Sequence, residues 1–234
     1  MIAAVFALAF SAMGSQLPDS PKPVTPREAL QPFNVLVGSW KCTGFPEGVS
    51  KEERAAGMWV ETDSWVWKFK GDDAWLEAAF EKGKYFTTGE LRYLSGKNAY
   101  QLKLVAADKT TFTYVGTLKE KVLTLDRVDG PASEQQRLVF SLLHNNRHLY
   151  RFETRPVGST LAFDKKFQVG ATKEGVPFAD VPKGPECIVS GGAGTMKVTY
   201  MGKDYYVCCT GCRDEFKADP EKYIKEAAAK ANKK

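Results

Sequence analysis

The feature that most constrains this chain is a succession of short segments in which apolar and polar residues alternate. Turn-forming sequences such as KGDD at 70–73 and SGKN at 95–98 separate these segments. Period-two alternation predicts β-strands, and about ten strands tend to close into a barrel because closure removes exposed edges. We therefore expect a mainly β protein built on an antiparallel barrel. The alternating segments are 59–69, 74–80, 85–94, 100–106, 111–118, 122–128, 138–143, 149–154 and 161–169.

Length and composition allow a packed barrel with a second, smaller unit. The chain has 234 residues, of which 43% are apolar and 12% aromatic. These values are typical of a globular protein rather than a disordered one. The net charge is only +5, and several of the lysines lie in the last 13 residues. Because no dense basic run is interleaved with aromatic residues, we predict no nucleic-acid partner.

The N-terminus predicts export. Residues 2–13 read IAAVFALAFSAM, an apolar run too short to span a bilayer as a helix. Small residues at Ala12 and Gly14 suit signal peptidase, so we predict a signal peptide at 1–14, a periplasmic or extracellular location and no integral membrane segment. The alternative is an apolar N-terminal segment that packs on the fold. Residues 15–32 contain several prolines and predict a solvated tether, with ordered structure from Phe33 onward.

The sequence FNVLVGSW at 33–40 opens the predicted barrel. It resembles the Leu-x-Gly-x-Trp entry of lipocalin-like barrels, with Gly38 at a tight bend and Trp40 at the barrel floor. This resemblance covers 33–169. It implies a lipocalin-like β-barrel with a cavity for a small apolar ligand. The alternative is an interior filled by the chain's own aromatic side chains.

A second unit follows a linker rich in Gly and Pro at 170–186, which would let that unit move relative to the barrel. Cys187 is followed after 20 residues by Cys208, Cys209 and Cys212. The intervening segments 196–200 and 205–207 predict a hairpin, and a helical turn begins near Cys212. Another helix is expected from Pro220. Because soft metals prefer converging sulfur ligands, this spacing predicts a metal site for one zinc or copper(I) ion.

The segment from Cys187 to Tyr223 resembles the YHS/TRASH family of small heavy-metal-binding domains. The resemblance rests on the cysteine spacing, the motif YMGKDYY at 200–206 and the motif CCTGC at 208–212. It implies a treble-clef-like ββα finger over 187–234, with a role in metal trafficking, sensing or resistance. The family's three ligands correspond to Cys187, Cys208 and Cys212. Cys209 stands where the family usually has another residue, so it is either a fourth ligand or a spare thiol.

Three other interpretations stay open at the level of sequence. The cysteines of an exported protein could form disulfides. Cys209 and Cys212 form a Cys-x-x-Cys pair, which would suit a thiol-disulfide redox protein. A purely structural metal would leave the barrel as the functional part, a carrier of a small apolar ligand.

The barrel sequence contains no enzyme signature, and we predict a protein that is not an enzyme. The only histidines, His144 and His148, flank the turn sequence NNR and are expected to be solvated. Cys42 is isolated on the first strand and is expected to be buried without a chemical role.

Overall fold

The structure is a computed structural model that describes residues 24–144, 146–175 and 184–231. The predicted signal peptide at 1–14 and residues 15–23 of the predicted tether lie outside the described residues. So do residues 176–183 of the predicted linker.

Ten antiparallel strands form a closed barrel. Each strand pairs with its neighbours in chain order, and β1 closes the barrel by pairing with β10. The predicted fold class, mainly β with an antiparallel barrel, is confirmed. The strands are β1 (Gly38–Pro46), β2 (Trp59–Lys70), β3 (Asp73–Glu81), β4 (Thr88–Leu94), β5 (Ala99–Val105), β6 (Thr111–Lys119), β7 (Val122–Arg127), β8 (Glu134–His144), β9 (Arg147–Pro156) and β10 (Asp164–Lys173).

Alternation of side chains along each strand builds the barrel core. In β3, Leu76, Ala78 and Phe80 are buried, whereas Glu77 and Glu81 are exposed. Since successive residues of a strand point to opposite faces, one face of every strand contributes to a common interior. A short α-helix that the sequence did not predict, α2 (Lys51–Ala56), lies between β1 and β2.

One end of the barrel is closed by the segment that precedes β1. A 3-10 helix, Gln31–Leu36, places Phe33 and Leu36 in the core. Gly38 has a φ of 118°, which permits the bend into β1. Trp40 is completely buried, and its Nε1 donates a hydrogen bond to the Leu36 carbonyl at 2.7 Å. The predicted bend and floor tryptophan therefore lie where the sequence motif implied.

The prediction of a solvated tether over 15–32 is wrong for its described residues. Helix α1 (Pro26–Ala29) begins with a capping box between Thr25 and Glu28, and Leu30 is completely buried. Pro26 occupies the first helical position, where the missing N–H costs nothing. Proline at the start of a helix and proline in a solvated linker look alike in sequence, which explains the error.

A compact finger follows the barrel. Strands β11 (Met196–Tyr200) and β12 (Lys203–Val207) form the predicted hairpin, and helices α3 (Thr210–Ala218) and α4 (Pro220–Ala231) follow. Asp219 Oδ1 accepts a hydrogen bond from the Lys222 backbone N–H at 3.1 Å, as expected for an N-cap. None of the described helices is long and apolar enough to cross a membrane.

The finger is packed on the closed end of the barrel, contrary to the prediction that the linker lets it move. Asn34 Nδ2 donates to the Ser190 carbonyl at 3.0 Å, while Asn34 Oδ1 accepts from Trp67 Nε1 at 2.9 Å. Arg27 forms an ion pair with Glu226 at 2.6 Å. The buried side chains of barrel and finger form one continuous apolar cluster. The barrel also extends past the predicted boundary at 169, because β10 continues to Lys173.

Candidate metal centre

A tight turn before β11 holds Cys187. Its backbone N–H donates to the Gly192 carbonyl at 2.7 Å, and its carbonyl accepts from the Gly191 N–H at 2.9 Å. Gly191 has a φ of 78°, a conformation that glycine adopts without strain. The Ser190 backbone N–H points at the Cys187 Sγ, 3.4 Å away. The turn therefore presents this sulfur in a fixed direction and donates to it.

Strand β12 and helix α3 supply the other sulfurs. Cys208 directly follows β12, and Cys212 is the third residue of α3. Cys209 lies between them in an extended conformation at the N-cap of α3. The N-terminal end of a helix carries partial positive charge, which would help to hold a metal-bound thiolate at Cys212.

Three sulfurs converge at one point. The Sγ atoms of Cys187, Cys208 and Cys212 all lie within 4.8 Å of one another, and the Cys208–Cys212 separation is 3.5 Å. A tetrahedral ion with metal–sulfur bonds of about 2.3 Å requires sulfurs about 3.8 Å apart. Cys187 and Cys212 are buried, and Cys208 is partly exposed. This donor set suits a thiophilic metal, and all five cysteines are free thiols in the structure.

Cys209 is turned toward the barrel. Its Sγ accepts a hydrogen bond from the Trp67 backbone N–H at 3.4 Å, and it lies 3.9 Å from the Cys208 Sγ. It does not belong to the group of three mutually close sulfurs. The structure thus brings three of the four predicted site residues together and places the fourth at their edge, between the cluster and β2.

Hydrogen bonds among the sulfurs shape their acidity. The pKa of Cys187 is lowered because Cys208 and Cys212 donate to its sulfur. The pKa of Cys212 is raised, chiefly because that thiol is buried. A cluster with one readily ionised sulfur is ready to exchange its remaining thiol protons for a metal ion.

The barrel contributes a cation to this cluster. Lys173, the last residue of β10, interacts electrostatically with Cys208 and donates to the Val35 carbonyl at 3.3 Å. Burial lowers the pKa of Lys173, and the charge of Cys208 opposes that effect. Three thiolates around one Zn²⁺ or Cu⁺ would leave a net negative charge, and the ammonium of Lys173 would offset one unit of it.

Sequence reasoning missed Ser190. Its side chain is completely buried, and its Oγ lies 3.3 Å from the Cys208 Sγ while its backbone N–H contacts Cys187. It stands three residues after Cys187, the place of the second cysteine in a Cys-x-x-Cys metal knuckle. That spacing was the signal that could have identified it.

Sequence reasoning also missed a group of ionisable side chains inside the barrel. Glu61 accepts hydrogen bonds from Tyr150 OH at 2.6 Å, Trp59 Nε1 at 2.9 Å and the Lys84 backbone N–H at 3.1 Å. His148 is completely buried 3.5 Å from Asp63, so the prediction of a solvated His148 is wrong. Glu61 and Asp63 share the face of Trp65 in β2, and this period of two predicts their inward orientation. Cys42 is buried as predicted.

Tyr150 is expected to make the folded protein less stable as the pH rises above about 10. Burial, and then the charge of Glu61, raise the pKa of Tyr150 well above its usual value. The unfolded chain would lose a proton that the folded chain keeps, so the free energy of unfolding falls by up to about 1.4 kcal/mol per pH unit. Denaturant unfolding across this pH range should show a shallower decline for Tyr150→Phe. The exposed Tyr206→Phe is the control, and equal slopes for both variants would contradict the assignment.

One solved structure and one family model are similar to parts of this chain. One similar solved structure is titled "Crystal Structure of Rv2717c from M. tuberculosis", with 17% identity over 62% of this chain and 97% of that chain and a TM-score of 0.39. At that similarity it adds nothing to the barrel described above. A search of curated proteins gave no match. The family model described as "YHS domain" matches residues 192–227, a span that contains Cys208, Cys209 and Cys212 and begins just after Cys187. The C-terminal finger of this chain therefore carries a YHS domain.

Proposed function

We propose that this protein binds one thiophilic metal ion, Zn²⁺ or Cu⁺, through Cys187, Cys208 and Cys212. The observation that carries the proposal is the convergence of three sulfurs within 4.8 Å of one another. The YHS domain at 192–227 supports it. Thiolates are the ligands that both ions prefer in proteins. The proposed role is metal handling or sensing, with no catalytic step.

The two ions make different demands on the fourth position. Three sulfurs satisfy Cu⁺, whereas a structural Zn²⁺ site takes four ligands. Within the described residues, Cys209 and Ser190 are the nearest additional donors, since each lies within 3.9 Å of the Cys208 Sγ. A zinc site would therefore draw in one of them or a water molecule.

We also propose that the protein is located outside the cytoplasm. This location rests on the apolar run at 2–13 and on the small residues Ala12 and Gly14 at its end. In an oxidising compartment, exposed thiols tend to form disulfides, and a bound metal protects them. Export and metal binding are therefore consistent with one another.

The test is metal content measured by elemental mass spectrometry on a Cys42→Ala variant purified without added metal. This substitution removes the cysteine of the barrel, so a thiol titration then reports the finger alone. We expect about one equivalent of zinc or copper, with thiols that react only after chelation. The intact mass of protein from an exporting cell should lack residues 1–14. Protein that holds neither ion, even after reduction and reconstitution, would contradict the proposal, and an oxidised Cys209–Cys212 pair would favour a redox role.

A further inference from the structure

The end of the barrel away from the finger holds a cavity of about 280 Å³. It lies where β7 and β9 end and β10 begins, whereas the finger packs at the opposite end of β2, near Trp67. Toward its closed end, the barrel is filled by its own side chains, which include Trp40, Trp65 and Trp67. The sequence left open whether the chain's own aromatic side chains fill the barrel interior. They fill it at the closed end, whereas a cavity remains at the other end.

Aromatic rings make up most of the cavity wall. Phe86, Phe112, Phe152 and Phe167 line it together with Tyr85 and Tyr114. The rings hold one another in place: Phe86 and Phe112 meet edge to face at 5.9 Å, and Phe152 stacks on Phe167 at 5.4 Å. The cavity is about twice the size of the ~150 Å³ cavity that accepts benzene in an engineered protein. It has room for one aromatic ring or two fused rings.

Arg127 provides a fixed guanidinium on this wall, where it is ion-paired with Asp129. Its guanidinium lies 4.5 Å from the centre of the Phe112 ring, Nε donates to Asp129 Oδ1 at 2.8 Å, and one terminal nitrogen donates to Gln136 Oε1 at 2.7 Å. These contacts set the plane of the guanidinium. Gln136 also lines the cavity, so a few polar groups join an otherwise aromatic wall.

Lys166 provides a second cation through an irregularity of β10. Lys165 pairs with Glu153 and Phe167 pairs with Phe152, so Lys166 is an extra residue inserted in a β-bulge. Bulges change the direction of a side chain, and this one places Lys166 among the residues that line the cavity. Across residues 24–144, 146–175 and 184–231, the Lys166 ammonium forms no ion pair with a carboxylate. It is available to an anion in the cavity.

We propose that this cavity binds a small planar aromatic carboxylate. The ring would stack among Phe112, Phe152 and Phe167, and the carboxylate would meet Lys166 and the guanidinium of Arg127. Aromatic walls supply most of the buried area, while a few placed polar groups set orientation and specificity. The site is separate from the cysteine cluster and does not depend on the identity of the metal.

The test compares two probes of equal shape, 2-naphthoate and the neutral 2-naphthamide, by calorimetry on the full chain. We expect the acid to bind at least about tenfold more tightly than the amide, as placed charges add specificity to an aromatic pocket. Lys166→Gln should reduce that ratio to about twofold or threefold, whereas Lys165→Gln, a change at the neighbouring exposed lysine outside the lining, should preserve it.

Location is tested by Phe112→Trp, which narrows the cavity and should abolish binding of both probes, with circular dichroism and metal content confirming the fold. Three results would overturn the proposal: no binding of the acid at millimolar concentration, equal binding of acid and amide, or equal effects of the two lysine substitutions. Retained binding in Phe112→Trp would also overturn it, because the probe would then occupy another site.

Discussion

Replacement of Cys187, Cys208 or Cys212 by serine is expected to weaken metal binding by more than about 100-fold. Changes to groups that merely orient a ligand already cost about 10–100-fold in affinity, and loss of a ligand costs more. The three sulfurs are mutually within 4.8 Å, so each is one third of the compact donor set. A serine hydroxyl is a poor ligand for a soft ion and does not replace the lost thiolate. Competition with a chromophoric chelator measures the affinity of each variant.

Cys209→Ser is the matched comparison for this series, because the residue is adjacent to Cys208 but its sulfur lies outside the group of three. Its Sγ accepts the Trp67 N–H at 3.4 Å. We expect this variant to keep metal affinity within about tenfold of the parent, since a hydrogen-bond partner rather than a ligand changes. If Cys209→Ser loses metal as severely as the other three, the site has four thiolate ligands. If none of the four substitutions changes affinity, the metal binds elsewhere.

Metal removal should also reveal how far the finger depends on its ion. A unit of this size has little apolar core, and small domains usually need a metal or disulfides for stability. Here the barrel supplies part of that support, because Phe216, Tyr223 and Val207 belong to the same buried cluster as the barrel core. The metal-free finger should therefore keep more structure than an isolated finger would, although its turn at Cys187 loses its main constraint.

The parts of this molecule that follow local rules could be predicted from its sequence. The hairpin of β11 and β12 rests on neighbouring residues and a Gly202 turn, so its β-type segments located β11 to the residue and placed the start of β12 two residues late. The barrel strands follow period-two alternation, which also points Glu61 and Asp63 inward beside Trp65. In each case the local structure is determined by a few residues that are adjacent in the sequence.

The parts that depend on distant contacts could not be predicted. Pro26 begins a packed helix rather than a tether because Leu30 is buried in the core and a distant strand holds the helix: Tyr100 OH donates to the Ala29 carbonyl at 2.9 Å. His148 is buried because Trp40 lies 4.4 Å away, edge to face. The residues that flank Pro26 and His148 in the sequence do not indicate these partners. The burial of each depends on contacts with residues that are distant in the chain and come close only in the folded protein.

Gly211→Ala is expected to destabilise the protein by about 3 kcal/mol, since overpacking costs 1–3 kcal/mol and here the obstacle is backbone. A Cβ at Gly211 would lie 1.7 Å from the Trp67 carbonyl oxygen of β2. No side-chain rotation relieves that contact, so α3 must move away from the barrel. In an isolated helix the same change would stabilise by up to about 1 kcal/mol, because alanine favours helix. The sign of the effect thus reports whether the finger is packed on the barrel.

Denaturant unfolding measures the change, and Gly96→Ala is the control because a Cβ there meets nothing within 4 Å. All three proposed ligands belong to the finger, so Gly211→Ala should keep its metal. Stability equal to that of Gly96→Ala would mean that the finger does not pack on β2 in solution. Loss of metal from Gly211→Ala alone would mean that contact with Trp67 shapes the cysteine cluster, since Trp67 donates to Cys209 beside it.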